Sequence, residues 1–176
     1  MIENERTVRK EHALCIARQM MTAARTAPKG KGMDIIEIAI VTDADIIRLS
    51  DELYKLAEET GLQFMQRDAG NILRSEAVLL VGTAAQTHGL NCAHCGYPTC
   101  GQKPEAVPCA LNSVDVGIAL GSACAAAADL RVDTRVMFSA GLAAQKLQFL
   151  GDCKTVFALP ISISSKNPFF DRSLCV

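Results

Sequence analysis

Ala77-Val78-Leu79-Leu80-Val81-Gly82 is a short apolar run that leads into a cysteine-rich loop and then an Ala/Gly-rich tract from Val116 to Ala128. Its length and branched side chains read as a β-strand. After the loop, Ser113 or Asp115 can start a helix that runs to Asp129. Upstream, Ala13, Ile16, Ala17, Met20, Ala24 and Ala27 recur at three- and four-residue steps between Val8 and Ala27, as one helical face requires. Ala27-Pro28-Lys29-Gly30-Lys31-Gly32 ends that helix, and the β-branched run Ile35 to Val41 reads as a mostly buried strand. Asp43 or Asp45 can cap the next helix, whose stripe is Ile46, Leu49, Leu53 and Leu56 and whose stop is Gly61. Leu62 to Met65 reads as a short strand. Downstream, Thr134 to Ser139 stays open between strand and turn, Leu142 to Leu150 reads as a helix stopped by Gly151, and Thr155 to Ile163 as a last strand. Strands and helices intermix, so the expected class is α+β, a central sheet flanked by helices with a Cys-rich loop inserted at residues 88–110.

With 176 residues, 49% of them hydrophobic, the chain can bury a substantial core, and no linker divides it; residues 1–176 are expected to form a single domain. The 18 basic and 19 acidic residues form no long block of one sign, which argues against nucleic acid as a partner. The apolar tract from Val116 to Ala128 falls short of the roughly 20 residues that span a bilayer, so it reads as a buried helix and no membrane is expected. The charged start, Met1-Ile2-Glu3-Asn4-Glu5-Arg6, has no apolar core of a secretory signal behind it, and a cytoplasmic location is expected. In that compartment thiols stay reduced, so eight cysteines point toward metal or catalysis and away from disulfides.

Cys92, Cys95, Cys100 and Cys109 follow the pattern C-x2-C-x4-C-x8-C. Four thiolates in one loop can surround a metal centre, and Gly96 and Pro98 let the chain turn so that backbone N–H groups face cluster sulfurs. A 4Fe-4S cluster is the leading reading. Structural zinc on the same four cysteines is the alternative, although zinc ribbons usually pair two C-x2-C knuckles and only Cys92/Cys95 has that form. Cys124 is the substitute for Cys109 as fourth ligand. His88 and His94 read as plain loop residues, since nothing in the sequence pairs either with a carboxylate. His12 reads as surface. Cys15, Cys124 and Cys153 read as small core residues and Cys175 as exposed. Pro168-Phe169-Phe170 is expected to pack the tail, leaving Lys166, Asn167 and Arg172 solvated. No P-loop, dinucleotide fingerprint or nucleophile signature is present.

The segment Asn91-Cys92-Ala93-His94-Cys95-Gly96-Tyr97-Pro98-Thr99-Cys100 resembles the 4Fe-4S motif of the cluster-binding subunit of Rnf electron-transfer complexes and of corrinoid iron–sulfur proteins. In those families the fourth Cys is usually followed by Pro and lies farther away, whereas here Pro108 precedes Cys109. Residues 24–32, the cysteine loop and residues 165–172 together resemble uncharacterised bacterial and archaeal proteins that contain a ferredoxin domain. The order of elements is similar to the nitroreductase family of flavoproteins, which implies an intertwined homodimer with FMN at its interface. By that resemblance Arg25, Lys29, Gly30 and Lys31 are the flavin or anion candidates; the bland reading of Lys29-Gly30-Lys31-Gly32 is a solvated turn. The family's N-terminal Arg-x-Ser-x-Arg clamp is missing, with Arg6 and Arg9 the nearest basic pair. An Ala/Gly-rich face at Gly117, Gly121, Ala125 and Ala128 suits a close helix contact in a core or a homodimer. The functional expectation is an iron–sulfur redox protein for electron transfer, coupled to a flavin as an oxidoreductase or acting with the cluster alone. Its redox partner is unspecified, and a zinc-stabilised interaction module is the alternative.

Overall fold

The computed structural model describes residues 1–170. Arg172 and Cys175 lie outside the described residues. Helix α1 spans Glu5–Thr26, and Asn4 caps it by accepting the Arg6 N–H at 3.0 Å. Its buried face is Ala13, Ile16, Ala17, Met20 and Ala24, as the periodicity predicts. Cys15 is a correction: it lies on the solvent side of α1 and is exposed, because the buried stripe passes through Ala13, Ile16 and Ala17 and leaves position 15 off that face.

Four strands, β1 (Ile36–Val41), β2 (Ala77–Thr83), β3 (Asp133–Thr134) and β4 (Thr155–Ser162), form one antiparallel sheet in the order β1-β2-β4-β3. Helices α1 and α4 (Ala110–Asp129) cover one face; α2 (Ala44–Thr60), α3 (Phe64–Ile72) and α5 (Phe138–Lys146) cover the other. All seven residues of β2 are buried, because successive side chains alternate between two helical layers. Leu79 and Val81 join Ile16, Met20, Val116 and Leu120; Val78 and Leu80 join Leu49, Leu53, Met65 and Ile72. Burying each such side chain fully contributes about 1.5–3 kcal/mol, so the central strand anchors both cores.

Pro160 sits inside β4, between two neighbours in the sheet, yet costs no ladder bond. Ala158 exchanges both backbone bonds with Met137, at 2.8 and 3.0 Å. Two residues on, the Pro160 nitrogen points the same way, into the gap between that bridge and the short β3 pair.

Several expectations change. Leu62–Met65 is no strand; Phe64 and Met65 open α3, whose buried side is Met65, Asp68, Ala69 and Ile72. Asp43 precedes α2 but makes no capping bond, pairing instead with Lys10 of α1. Residues 134–139 divide between the end of β3, the Met137 bridge and the start of α5, which therefore begins and ends earlier than the expected helix to Leu150. Helix α4 starts at Ala110, so Ser113 and Asp115 lie within it. At 20 residues it is long and apolar enough, by length and composition alone, to cross a membrane. Its Val116, Ala119, Leu120 and Ala123 face α1 and the sheet. Phe169 is buried as expected, while Phe170 is exposed beneath the Arg135 guanidinium.

Candidate functional site

The cysteine loop connects the end of β2 to the start of α4. Asn112, in the first turn of α4, holds its root by donating to the Gln86 carbonyl at 2.6 Å. Beyond that anchor the chain bends repeatedly, with φ positive at Gly89 (68°), Asn91 (49°), Ala93 (59°) and Gly96 (87°). Gly96 N–H closes a turn on Ala93 carbonyl at 2.8 Å, which sets Cys95 inside the bend and Cys92 at its entry.

Cys100 is held against Asn91 by reciprocal bonds. Its N–H donates to Asn91 Oδ1 at 2.8 Å, and the Asn91 N–H donates to its Sγ at 3.4 Å. The Asn91 N–H holds the Cys100 thiol below its ordinary range, with the Thr87 hydroxyl and the Gly89 and Leu90 N–H groups acting in the same direction against some desolvation. The shift favours the thiolate, which is the nucleophilic and metal-binding form of cysteine in general.

Cys92 is exposed, Cys95 and Cys100 are half-buried, and Cys109 is buried at the residue before α4. A thiolate there meets the positive end of a long helix. Among the described residues no three His, Cys, Asp or Glu side chains converge closely enough to hold a metal ion, so the loop places the four thiols on one segment without gathering their sulfurs. The donor set, all thiol with a backbone N–H aimed at one sulfur, fits an iron–sulfur cluster. Cys124 lies more than four turns up α4 from Cys109, about 22 Å at a rise of about 1.5 Å per residue, well away from the loop.

Cys153 belongs to the core beneath α2 and α5, and burial, with smaller help from Glu37 and Asp152, pushes its thiol up to about 11. At pH 8 only about one Cys153 in a thousand would be thiolate. Native, metal-free protein treated with iodoacetamide at that pH is therefore expected to be alkylated at Cys92 and unmodified at Cys153, as peptide mass mapping would read.

Two of the basic candidates bond within the chain, Arg25 while remaining exposed. Arg25 Nη1 donates to Asp34 Oδ1 and to the Ile36 carbonyl, each at 2.7 Å. Lys29 Nζ donates to the carbonyls of Ala24, Arg25 and Ala27, closing the C-terminal end of α1. These two residues do not fit a phosphate clamp. Lys31 is exposed in a left-handed conformation (φ 57°).

His88 corrects the sequence reading most. It is buried, and its Nε2 lies 2.9 Å from Asp115 Oδ2, while Asp115 Oδ1 accepts the Gly30 N–H at 2.9 Å. The partner is remote in sequence, and no local pattern reveals it. The signal in the sequence is a polar Asp115 which, with Asn112, interrupts the apolar buried side of α4.

The three-layer fold is shared with flavoproteins of known structure. A nitroreductase with bound FMN from Desulfitobacterium hafniense superimposes with a TM-score of 0.59 at 15% identity, covering 94% of this chain and 80% of that one. A BluB-like flavoprotein from Clostridium difficile gives 0.58 at 16% identity, covering 86% and 81%. The fold is nitroreductase-like. Residues 105–172 match the family described as "Uncharacterized protein containing a ferredoxin domain" (DUF2148). An uncharacterized protein of Archaeoglobus fulgidus is 37% identical over 183 residues, spanning 98% of both chains. The chain belongs to this ferredoxin-domain family. The family match includes Cys109 and begins after Cys92, Cys95 and Cys100.

Proposed function

We propose that this chain is a redox protein whose Cys92, Cys95, Cys100 and Cys109 hold a 4Fe-4S cluster. The observation that carries this reading is the reciprocal bonding of Asn91 and Cys100, which presents a backbone N–H to a thiol inside a four-thiol loop. When bound, such a cluster accepts and returns one electron at a potential tuned by N–H···S bonds and exposure. The chain's own part is to supply thiolates, orient Cys100, and keep Cys109 out of water at the start of α4. The family description and the flavoprotein fold both favour redox chemistry.

The deciding experiment is iron, zinc and acid-labile sulfide analysis, with a visible spectrum, on protein purified without oxygen. About four iron and four sulfide per chain would support the reading. One zinc and no sulfide would overturn it in favour of a structural zinc module.

A flavin is a second reading, favoured by the fold shared with an FMN-bound nitroreductase. Its contacts would have to use the Gly30–Lys31 part of the turn, since Arg25 and Lys29 are engaged elsewhere. Flavin fluorescence released on denaturing the purified protein tests it.

The proposed partner for assembly is a second copy. The outer face of α4 exposes Val114, Gly117, Ile118, Gly121 and Ala125 in one stripe, beside exposed Val136. A contiguous apolar stripe suits a self-complementary two-fold contact. Ile118→Glu is expected to convert a dimer to a monomer in sedimentation velocity; a monomeric wild type would overturn the dimer.

A further inference from the structure

Asp115 joins three segments that the sequence keeps far apart. Its Oδ2 meets His88 at the foot of the cysteine loop, and its Oδ1 meets the N–H of Gly30 in the turn after α1, each at 2.9 Å. Both side chains are almost wholly buried, His88 at 2% and Asp115 at 3% exposure. Nε2 is the ring nitrogen that faces the carboxylate, and a proton there can donate to Asp115 Oδ2. Among the described residues Nδ1 is buried without a hydrogen-bond partner, so the ring is held where it is by Asp115 and by packing. That packing includes the turn itself: a Cβ on Gly30 would stand 3.4 Å from both Cε1 and Nε2 of His88.

The two oxygens of Asp115 belong to one rigid plane. A rotation that releases His88 also withdraws the acceptor from Gly30. His88 in turn lies just ahead of Asn91 and Cys92, so whatever orders the cysteine loop also fixes the backbone that carries its ring.

We propose that His88 and Asp115 are positioning residues that couple metal binding in the cysteine loop to the conformation of the Gly30 turn. This rests on the metal reading of the cysteines given above. Metal bound to the thiols narrows the loop to one arrangement, His88 is then held against Asp115, and Asp115 holds the Gly30 N–H. Linkage makes the effect reciprocal, so disturbing the pair weakens metal binding by the factor that metal binding tightens the turn.

The probe is Co2+ alone, added without oxygen to the reduced, cluster-free full-length protein. Thiolate-to-cobalt absorption reports binding, and hydrogen exchange of the Gly30 amide, followed by NMR, reports the bond to Asp115. Saturating Co2+ is expected to slow Gly30 exchange about tenfold in the wild type, within the usual range of coupling between sites. His88→Ala is expected to keep the cobalt bands, bind Co2+ more weakly, and lose the slowing at Gly30. His88→Gln, whose amide N–H can still donate to Asp115, is expected to restore part of it, which a general packing role would not produce. Cobalt bands with unchanged Gly30 exchange in the wild type would overturn the coupling without any variant. A His88→Ala response equal to wild type would overturn it as well. Absence of the bands in the wild type would overturn the metal reading, and the coupling with it.

Discussion

Cys95→Ser protein purified without oxygen is expected to lose most of its iron and its broad visible absorbance near about 400 nm, while Cys15→Ser keeps both. Cys95 is half-buried inside the Ala93–Gly96 turn, in the part of the loop where the chain reverses between Cys92 and Cys100. A serine hydroxyl is a far harder donor than a thiolate and stays protonated at neutral pH, so the corner would be lost. Cys15 is exposed on α1, in a separate element, and is a true control. The same comparison settles the fourth corner. Cys109→Ser should behave as Cys95→Ser does, and Cys124→Ser as Cys15→Ser does, because Cys124 lies more than four turns away along α4. Equal loss of iron from Cys95→Ser and Cys15→Ser would sink the assignment of the loop. Loss from Cys124→Ser with retention in Cys109→Ser would move the fourth ligand.

Elements whose apolar period is strong in the sequence appear where that period puts them. Helix α1 buries Ala13, Ile16, Ala17, Met20 and Ala24, and α2 buries Ile46, Leu49, Leu53 and Leu56. Their signals are local, since a helix face is written in three- and four-residue steps. The segment after Gly61 reads as a strand because Leu62, Phe64 and Met65 form a run too short to show a period, whereas tertiary packing of Met65 and Ile72 decides for helix. Helix α4 starts earlier than Ser113, and that start is not legible in the sequence because Cys109 occupies the cap position and its thiol makes no capping bond.

The candidate site divides along the same line. The four cysteines announce themselves by spacing alone. Arg25 and Lys29 carry charge that a sequence reader assigns to a ligand, yet both are consumed by the chain's own carbonyls and by Asp34. His88, Asp115 and Gly30 meet only because β2 delivers the loop root beside the first turns of α4 while α1 ends alongside it. Such a junction is a property of topology; the sequence shows a polar Asp115 in an apolar helix but not which partners it meets.

Gly141→Ala is expected to destabilise the protein by about 3 kcal/mol or more, beyond the usual range for an overpacked site. Gly141 lies in α5 against β4, and a Cβ there would stand 1.9 Å from the Val156 carbonyl oxygen, 2.6 Å from its carbon and 2.8 Å from the Phe157 Cα. These are backbone atoms, so no rotamer change relieves them; the helix or the strand must move. Neither moves easily. Met137, immediately ahead of α5, is bonded both ways to Ala158 of β4, which ties the start of the helix to the strand it would have to leave. The neighbouring buried residues Ser139, Ala140, Ala143 and Ala144 are all small, as a helix seated close to a sheet requires. Ala is the better helix former by about 0.5–1 kcal/mol, which offsets only a minor part of the clash. Gly70 in α3 supplies the contrast, because its added Cβ would meet only the Tyr54 hydroxyl at 3.8 Å. Gly70→Ala should gain about 0.5–1 kcal/mol from the same propensity. Urea unfolding of the two variants should therefore shift in opposite directions from wild type, with the Gly141→Ala melting temperature lower by about 10 °C. Equal stability of Gly141→Ala and wild type would mean that α5 does not sit on β4 as closely as these distances require.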